Sequence, residues 1–251
     1  MNVSKTMFAL ALGSVGIMGA LSTVSAHAFT LNNGDALTIE SGVPIYDSDG
    51  NQMNVTGSWF AVDANGNSII SGTEKLILSE GNTGLIIGTT PPAGASHAGS
   101  PTAGDTNAIT APWSFFGSTG SDYTTVGITG DTVNGLNLSG WTVTWNDILS
   151  IPMGSGAWTP AAAIAGMAAG PYTNGVGKFS WNGVSGSTYT VDYLATVPLG
   201  EPSGFGGVKY ALHLEGVAAI PEASTYATML AGLVLVGFAT RRRSQTGSAF
   251  S

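Results

Sequence analysis

Oxygen-bearing side chains crowd one stretch of this 251-residue chain: Asp63 to Glu74 reads Asp-Ala-Asn-Gly-Asn-Ser-Ile-Ile-Ser-Gly-Thr-Glu. Hard oxygen donors suit Ca²⁺. Only Asp63 and Glu74 bring formal charge, so an ion there would be held weakly. An Asx-rich hairpin turn with no ion would use the same residues. Other chemistry is sparse. Between residues 29 and 220 the histidines are His97 and His213. Ser96-His97 is not a catalytic pair, because neighbours in an extended chain point apart. His213 alternates with Leu212 and Leu214 and reads as an exposed strand residue. There is no Gly-x-Ser-x-Gly elbow, P-loop or His-Glu-x-x-His. Asp122, Asp131, Asp147 and Asp192 could cooperate as glycoside hydrolysis requires, but sequence spacing pairs no two of them. Trp113, Trp141, Trp145, Trp158 and Trp181 could stack on sugar rings. Trp141 and Trp145 share a face with Val143, and that face reads better as core. The residues therefore predict no catalytic constellation.

The elements that would position these groups are short strands. Trp141, Val143 and Trp145 alternate with polar neighbours; so do Tyr189, Val191 and Tyr193, and again Tyr210, Leu212 and Leu214. Period two with one apolar face predicts half-buried antiparallel strands. Asn134-Gly135, Asn174-Gly175 and Asn182-Gly183 supply turns. Pro91 to Gly104 is a long Pro/Gly/Ala/Ser loop, and Trp113-Ser114-Phe115-Phe116 a local aromatic anchor. Ala161 to Ala169 follows Pro160 and stops at Gly170-Pro171, which predicts one short Ala-rich helix. The expected fold is mainly β, an antiparallel β-sandwich of jelly-roll-like form, in a single domain over residues 29–219.

That region holds fourteen acidic residues against three lysines, a formal charge of −11. A domain this acidic is a poor nucleic-acid binder. The chain has no cysteine, so its stability comes from the core, helped by any bound metal. Residues 1–28 read as a signal peptide. Lys5 is the basic start, Met7 to Leu21 the apolar run, and Ala26-His27-Ala28 the small-x-small cleavage site, with Val24-Ser25-Ala26 as the alternative cut.

The loop at Asp63 to Glu74 resembles the calcium loop of the EF-hand. On that resemblance the ligands are the side chains of Asp63, Asn65 and Asn67, the backbone carbonyl of Ile69, Ser71 directly or through water, and both oxygens of Glu74. Ser68 stands at the sixth position, where glycine usually makes the sharp turn.

The C-terminal end has three parts. Ile220-Pro221-Glu222-Ala223-Ser224-Thr225-Tyr226 is a short polar motif. An apolar run follows to Ala239, then Arg241-Arg242-Arg243. A helix from about 225 to 240 would be about 24 Å long at ~1.5 Å per residue, marginal for a hydrocarbon core of ~30 Å. The arginines place residues 244–251 in the cytoplasm by the positive-inside rule. The order of motif, helix and arginine cluster over 220–243 resembles the PEP-CTERM sorting signal, with Pro221-Glu222-Ala223 where the family usually has Pro-Glu-Pro. The resemblance implies export across the inner membrane and transient anchoring by the helix. Processing by an exosortase-like membrane enzyme follows, then a place at the cell surface or in the medium. It also implies a non-catalytic matrix component associated with exopolysaccharide. A carbohydrate-binding module and a secreted glycan-active enzyme are the alternatives.

Overall fold

The structure is a computed structural model and describes residues 28–90, 97–98, 109–110, 114–115, 118–220 and 229–236. Residues 1–27 of the expected signal peptide, nearly all of loop 91–104, Trp113, Phe116, Pro221, Glu222, Ala223, Arg241, Arg242, Arg243 and residues 244–251 lie outside that set. The chain begins with β1 (Ala36–Ile39), β2 (Val43–Tyr46), β3 (Gln52–Thr56), β4 (Trp59–Val62), a 3-10 turn (Gly72–Glu74), β5 (Lys75–Ile77) and β6 (Gly81–Ile86). It continues through β7 (His97–Ala98), β8 (Ser114–Phe115), β9 (Ser118–Thr119), β10 (Ser121–Thr124), β11 (Gly130–Asp131) and β12 (Gly135–Asn137). The last strands are β13 (Trp141–Trp145), β14 (Ile148–Pro152), β15 (Val176–Trp181), β16 (Thr188–Thr196) and β17 (Lys209–Ala219). The fold is mainly β and its paired strands are antiparallel, as the period-two pattern predicts.

The frame is a nine-stranded sheet whose path runs β11-β12-β15-β16-β17-β1-β6, with β4 and β5 branching from β17. β17 is eleven residues long. β16 follows one of its edges from Lys209 to Val217. β4 and β1 share the other, at Tyr210–His213 and at Ala218–Ala219. Two hydroxyls bridge the gap between them. Ser58 Oγ accepts from the Glu215 amide at 2.9 Å and donates to its carbonyl at 3.0 Å; Thr38 Oγ1 does the same for Val217 at 3.1 Å. The backbones here are tight, since a Cβ on Gly216 would come within 1.8 Å of the Thr38 carbonyl oxygen.

One face of the sheet presents Phe60, Tyr189, Val191, Tyr193, Tyr210, Leu212 and Leu214, the alternating residues of β4, β16 and β17. The three-stranded sheet β10-β13-β14 packs on it through Trp141, Val143 and Ile151. Trp141 lies 5.7 Å from the Tyr210 ring and 6.0 Å from Tyr193. Burying such rings contributes about 1.5–3 kcal/mol each before entropy is counted, and this is the main core.

The opposite face is also buried. Trp59, Ala61, Leu194 and Ala211 form a second apolar cluster with Val55, Ile70, Trp158 and Ile164. Its cover is the segment 158–172, where a short Ala-rich helix is expected at Ala161–Ala169. No helix forms there. Alanine favours helix only weakly, and the backbone groups of this segment find partners elsewhere. The Ala161 amide bonds the Ser68 carbonyl, and the Ala165 carbonyl accepts from Lys75 Nζ at 2.7 Å. The Ala168 amide bonds Asp192 Oδ2 at 2.8 Å, and Gly166 breaks the run at φ +87°. Segment 158–172 is an irregular strap with a turn at Ile164–Met167. The α-helix of the described residues is Met229–Val236, inside the apolar run of the tail. No helix among the described residues is long and apolar enough to cross a membrane.

Candidate functional site

Under the strap lies a polar row. Register places Trp59, His213 and Asp192 side by side across β4, β17 and β16. His213 Nδ1 meets Asp192 Oδ1 at 2.6 Å and Nε2 meets Glu215 Oε1 at 2.9 Å. The ring stacks on Trp59 with centroids 5.6 Å apart. His213, expected at the surface, is instead 3% exposed and Asp192 4%. Burial disfavours the imidazolium, but the hydrogen bonds and charges of Asp192 and Glu215 outweigh it, and the net pKa is raised above 6.5. Both ring nitrogens face carboxylate oxygens, an arrangement that favours the protonated imidazole.

Each lysine of the domain ties this region down. Lys75, 3% exposed, donates to Asn54 Oδ1 and to the Ala165 carbonyl at 2.7 Å each, and sits 4.1 Å over the Trp59 ring. Burial lowers its pKa to about 8. Lys178 donates to the carbonyls of Ala169 and Gly170 and covers Tyr172 at 4.0 Å. Lys209 donates to Ser68 Oγ and lies 5.6 Å from the Trp158 ring. Trp158 Nε1 reaches the Tyr210 carbonyl at 3.0 Å. The strap thus spans residues from Asp63–Glu74 to β16 and closes over Leu194, leaving a cavity of about 440 Å³ lined by Trp158, Ile164, Met167 and Tyr172. Sequence reading missed Asp192, Glu215 and Lys75 as a site. The available signal was the i, i+2 spacing of His213 and Glu215, which puts both on one face.

The loop at Asp63–Glu74 is folded on its own hydrogen bonds. Asp63 Oδ2 accepts from the Ser68 amide at 2.9 Å, Asn65 Oδ1 from Asn67 at 3.0 Å and Asn67 Oδ1 from Ile69 at 2.7 Å. Ser68 adopts φ +61°, the left-handed conformation that position six of such a loop demands. Glu74 folds back: Oε1 accepts from the Ala64 amide and Asn65 Nδ2 at 3.1 Å, and Oε2 from the Ser71 amide at 2.9 Å and hydroxyl at 2.8 Å. The carboxylates close the loop from its two ends. Asp63 is 6% exposed and its Oδ1 has no hydrogen-bond partner. A buried, unpartnered carboxylate oxygen is costly, and a bound cation would offset that cost. Against this, no group of three or more His, Cys, Asp or Glu among the described residues is arranged to hold a metal ion, and Lys209 adds a positive charge at Ser68.

The other carboxylates serve separate places. Asp122 accepts from the Thr110 amide at 2.9 Å and from its hydroxyl. Asp131 caps the turn at Val133 and Asn134, and Asp147 sits at φ +61° between β13 and β14. Trp59, Trp141 and Trp158 are buried, while Trp145 and Trp181 are partly so. The backbone of His97 lies in β7; its side chain is outside the described set.

β17 ends at Ala219, and Ile220 is fixed by Ser185, whose Oγ accepts from the Ile220 amide at 3.0 Å and donates to its carbonyl at 2.9 Å. Residues 219–243 match the PEP-CTERM protein-sorting motif. No curated protein and no solved structure matches the chain. The long central strand of the sheet therefore runs straight into a PEP-CTERM sorting signal, the mark of an exported, exosortase-sorted protein destined for the surface or the medium.

Proposed function

We propose that this is a non-catalytic component of the cell surface or extracellular matrix, associated with exopolysaccharide. Its C-terminal helix holds it at the inner membrane until an exosortase-like enzyme acts at residues 220–226. The observation that carries the reading is the sorting motif at 219–243, set directly on the last strand of a packed β domain. The commitment of His213 to two carboxylates supports a structural rather than a catalytic site. The burial of Trp59, Trp141 and Trp158 favours the matrix reading over a sugar platform. The packing of β10-β13-β14 on the large sheet supports a sandwich form of the fold, and its jelly-roll character rests on the strand pattern of the sequence. Neutralising Arg241, Arg242 and Arg243 tests the sorting step. Their charge sets the orientation of the tail, so membrane retention and processing should fall, and unchanged processing would count against the reading.

A second reading concerns the Asp63–Glu74 loop, which is proposed to take Ca²⁺ weakly and to stabilise the domain. The orphan Asp63 Oδ1 and the turn at Ser68 favour it. Asp63, Asn65, Asn67, Ser71, Glu74 and the Ile69 carbonyl would hold the ion, with Glu74 releasing its present hydrogen bonds. With two formal charges and Lys209 nearby, the affinity falls in the range of extracellular modules, roughly 10⁻⁴ to 10⁻³ M.

A further inference from the structure

Both ends of the domain meet on one rim. Phe29, the first residue after the expected cleavage at Ala28, exchanges hydrogen bonds with Thr132: its amide donates to Oγ1 at 3.0 Å and its carbonyl accepts from the Thr132 amide at 3.1 Å. Its ring packs edge-on to Trp181 at 5.9 Å and against Gly183, where a Cβ would come within 2.2 Å of it. Trp181 Nε1 donates to the Val184 carbonyl and to Ser187 Oγ. The same β15–β16 turn holds the exit of the chain, through Ser185 to Ile220 and through Gly186 and Ser187 to Ala218.

The rim is apolar at its surface: Phe29 is 38% exposed, Val184 59% and Val133 64%. It also carries no charged side chain, and the one charge that cleavage after Ala28 brings is the Phe29 α-ammonium, held at Thr132 Oγ1. The segments that form it, 28–34, 132–134, 179–191 and 216–220, contain no Asp, Glu, Lys or Arg, in a domain of formal charge −11. The neighbouring Asp131 turns its carboxylate onto the amides of Val133 and Asn134. Eight residues, 221–228, lie between Ile220 and Met229, the first described residue of the tail helix, which makes nine Cα–Cα steps. Fully extended they reach roughly 30 Å. A rim that is apolar and aromatic, without charged side chains, suits the water–lipid interface, where Trp and other amphipathic rings concentrate.

We infer that this rim, Phe29, Val133, Trp181 and Val184, rests on the lipid surface while the tail is inserted. The tether delivers that end of the domain first, and the acidic remainder faces away. The inference relies on the membrane-held stage proposed above. The chain has no cysteine, so single cysteines carrying a nitroxide report cleanly. Val184→Cys marks the rim, Leu235→Cys the tail helix, and Leu199→Cys, 85% exposed in the β16–β17 loop at the other end of those strands, the aqueous control. In protein spanning Phe29 to Ser251, with the tail intact and residues 1–28 removed, reconstituted in phosphatidylcholine vesicles, collisions with a water-soluble nickel chelate should be lost at Leu235 and strongly reduced at Val184. They should persist at Leu199. A Val184 label as accessible as that at Leu199, with Leu235 protected, overturns the rim inference and leaves the anchor standing. A label at Val184 that is shielded from both the chelate and oxygen indicates a protein partner instead of lipid, and also overturns it. Free access at Leu235 removes the anchored stage itself, and the rim inference with it.

Discussion

Asp192 is the residue whose removal most directly probes the buried row. It holds His213 at 2.6 Å and the strap amide of Ala168 at 2.8 Å, and both it and His213 are nearly inaccessible to solvent. Asp192→Ala would leave the buried imidazole with Glu215 alone, whose side chain is 42% exposed and therefore screened. Removing one partner of a buried pair costs about 3–5 kcal/mol, and an orphaned Ala168 amide adds about 1–3 kcal/mol. For a domain of this size each kcal/mol lowers Tm by roughly 2–4 °C, so thermal unfolding should move down by ten degrees or more. Asp192→Asn keeps an acceptor and should cost less, but it changes the pH dependence. The folded pKa of His213 lies above its usual 6.5. Its stabilising contribution is therefore full below about pH 6.5 and is lost as pH rises through the folded value. Wild-type stability should fall across that window, and Asp192→Asn should flatten the fall. Chemical denaturation at a series of pH values reads both. An Asn variant with the wild-type slope, or an Ala variant that unfolds like wild type, would refute the argument that a charged, paired His213 anchors this face.

Lys75 gives the opposite pH signature. Its folded pKa is about 8 against the usual 10.5, so the wild type should gain stability between about pH 8 and 10.5, by about 3 kcal/mol at ~1.4 kcal/mol per unit. Lys75→Met should abolish that gain in denaturant titrations. For the loop, millimolar calcium should raise the unfolding midpoint of wild type but not of Glu74→Gln. At a concentration near Kd the gain is about 0.4 kcal/mol, rising to about 2.7 kcal/mol at a hundredfold excess; equal midpoints with calcium and with chelator in both proteins would remove the site. Gly216→Ala should be strongly destabilising, because its Cβ would collide with the Thr38 carbonyl where β1 crosses β17, and circular dichroism melts would show it.

The first core face was legible in the sequence because Tyr189, Val191, Tyr193, Tyr210, Leu212 and Leu214 alternate with smaller or polar residues, and only one face could be oily. The second was not. Along β4, β16 and β17 its Trp59, Ala61, Leu194 and Ala211 lie beside the polar His213 and Asp192, and a face of such mixed composition reads equally well as solvent-facing. They are buried by a strap that arrives from 158–172, and nothing local announces that cover. The strap was itself misread, since its alanines have helical propensity while its amides and carbonyls are claimed by Asp192, Ser68, Lys75 and Lys178. Tertiary partners outweighed a preference of only a few tenths of a kcal/mol per residue. The loop at Asp63–Glu74 was legible in more detail, down to the left-handed turn at Ser68. What Glu74 does there was not, because a carboxylate serves equally to cap amides or to hold an ion.

The central claim is that the chain is exported and its tail removed at the sorting motif. Intact-mass analysis of the protein recovered from the cell surface or medium tests it most directly. The account predicts a form that starts at Phe29 and ends between residues 220 and 226, with β17 and the Ser185–Ile220 contact retained. Recovery only of protein ending at Ser251, in the membrane, would contradict it.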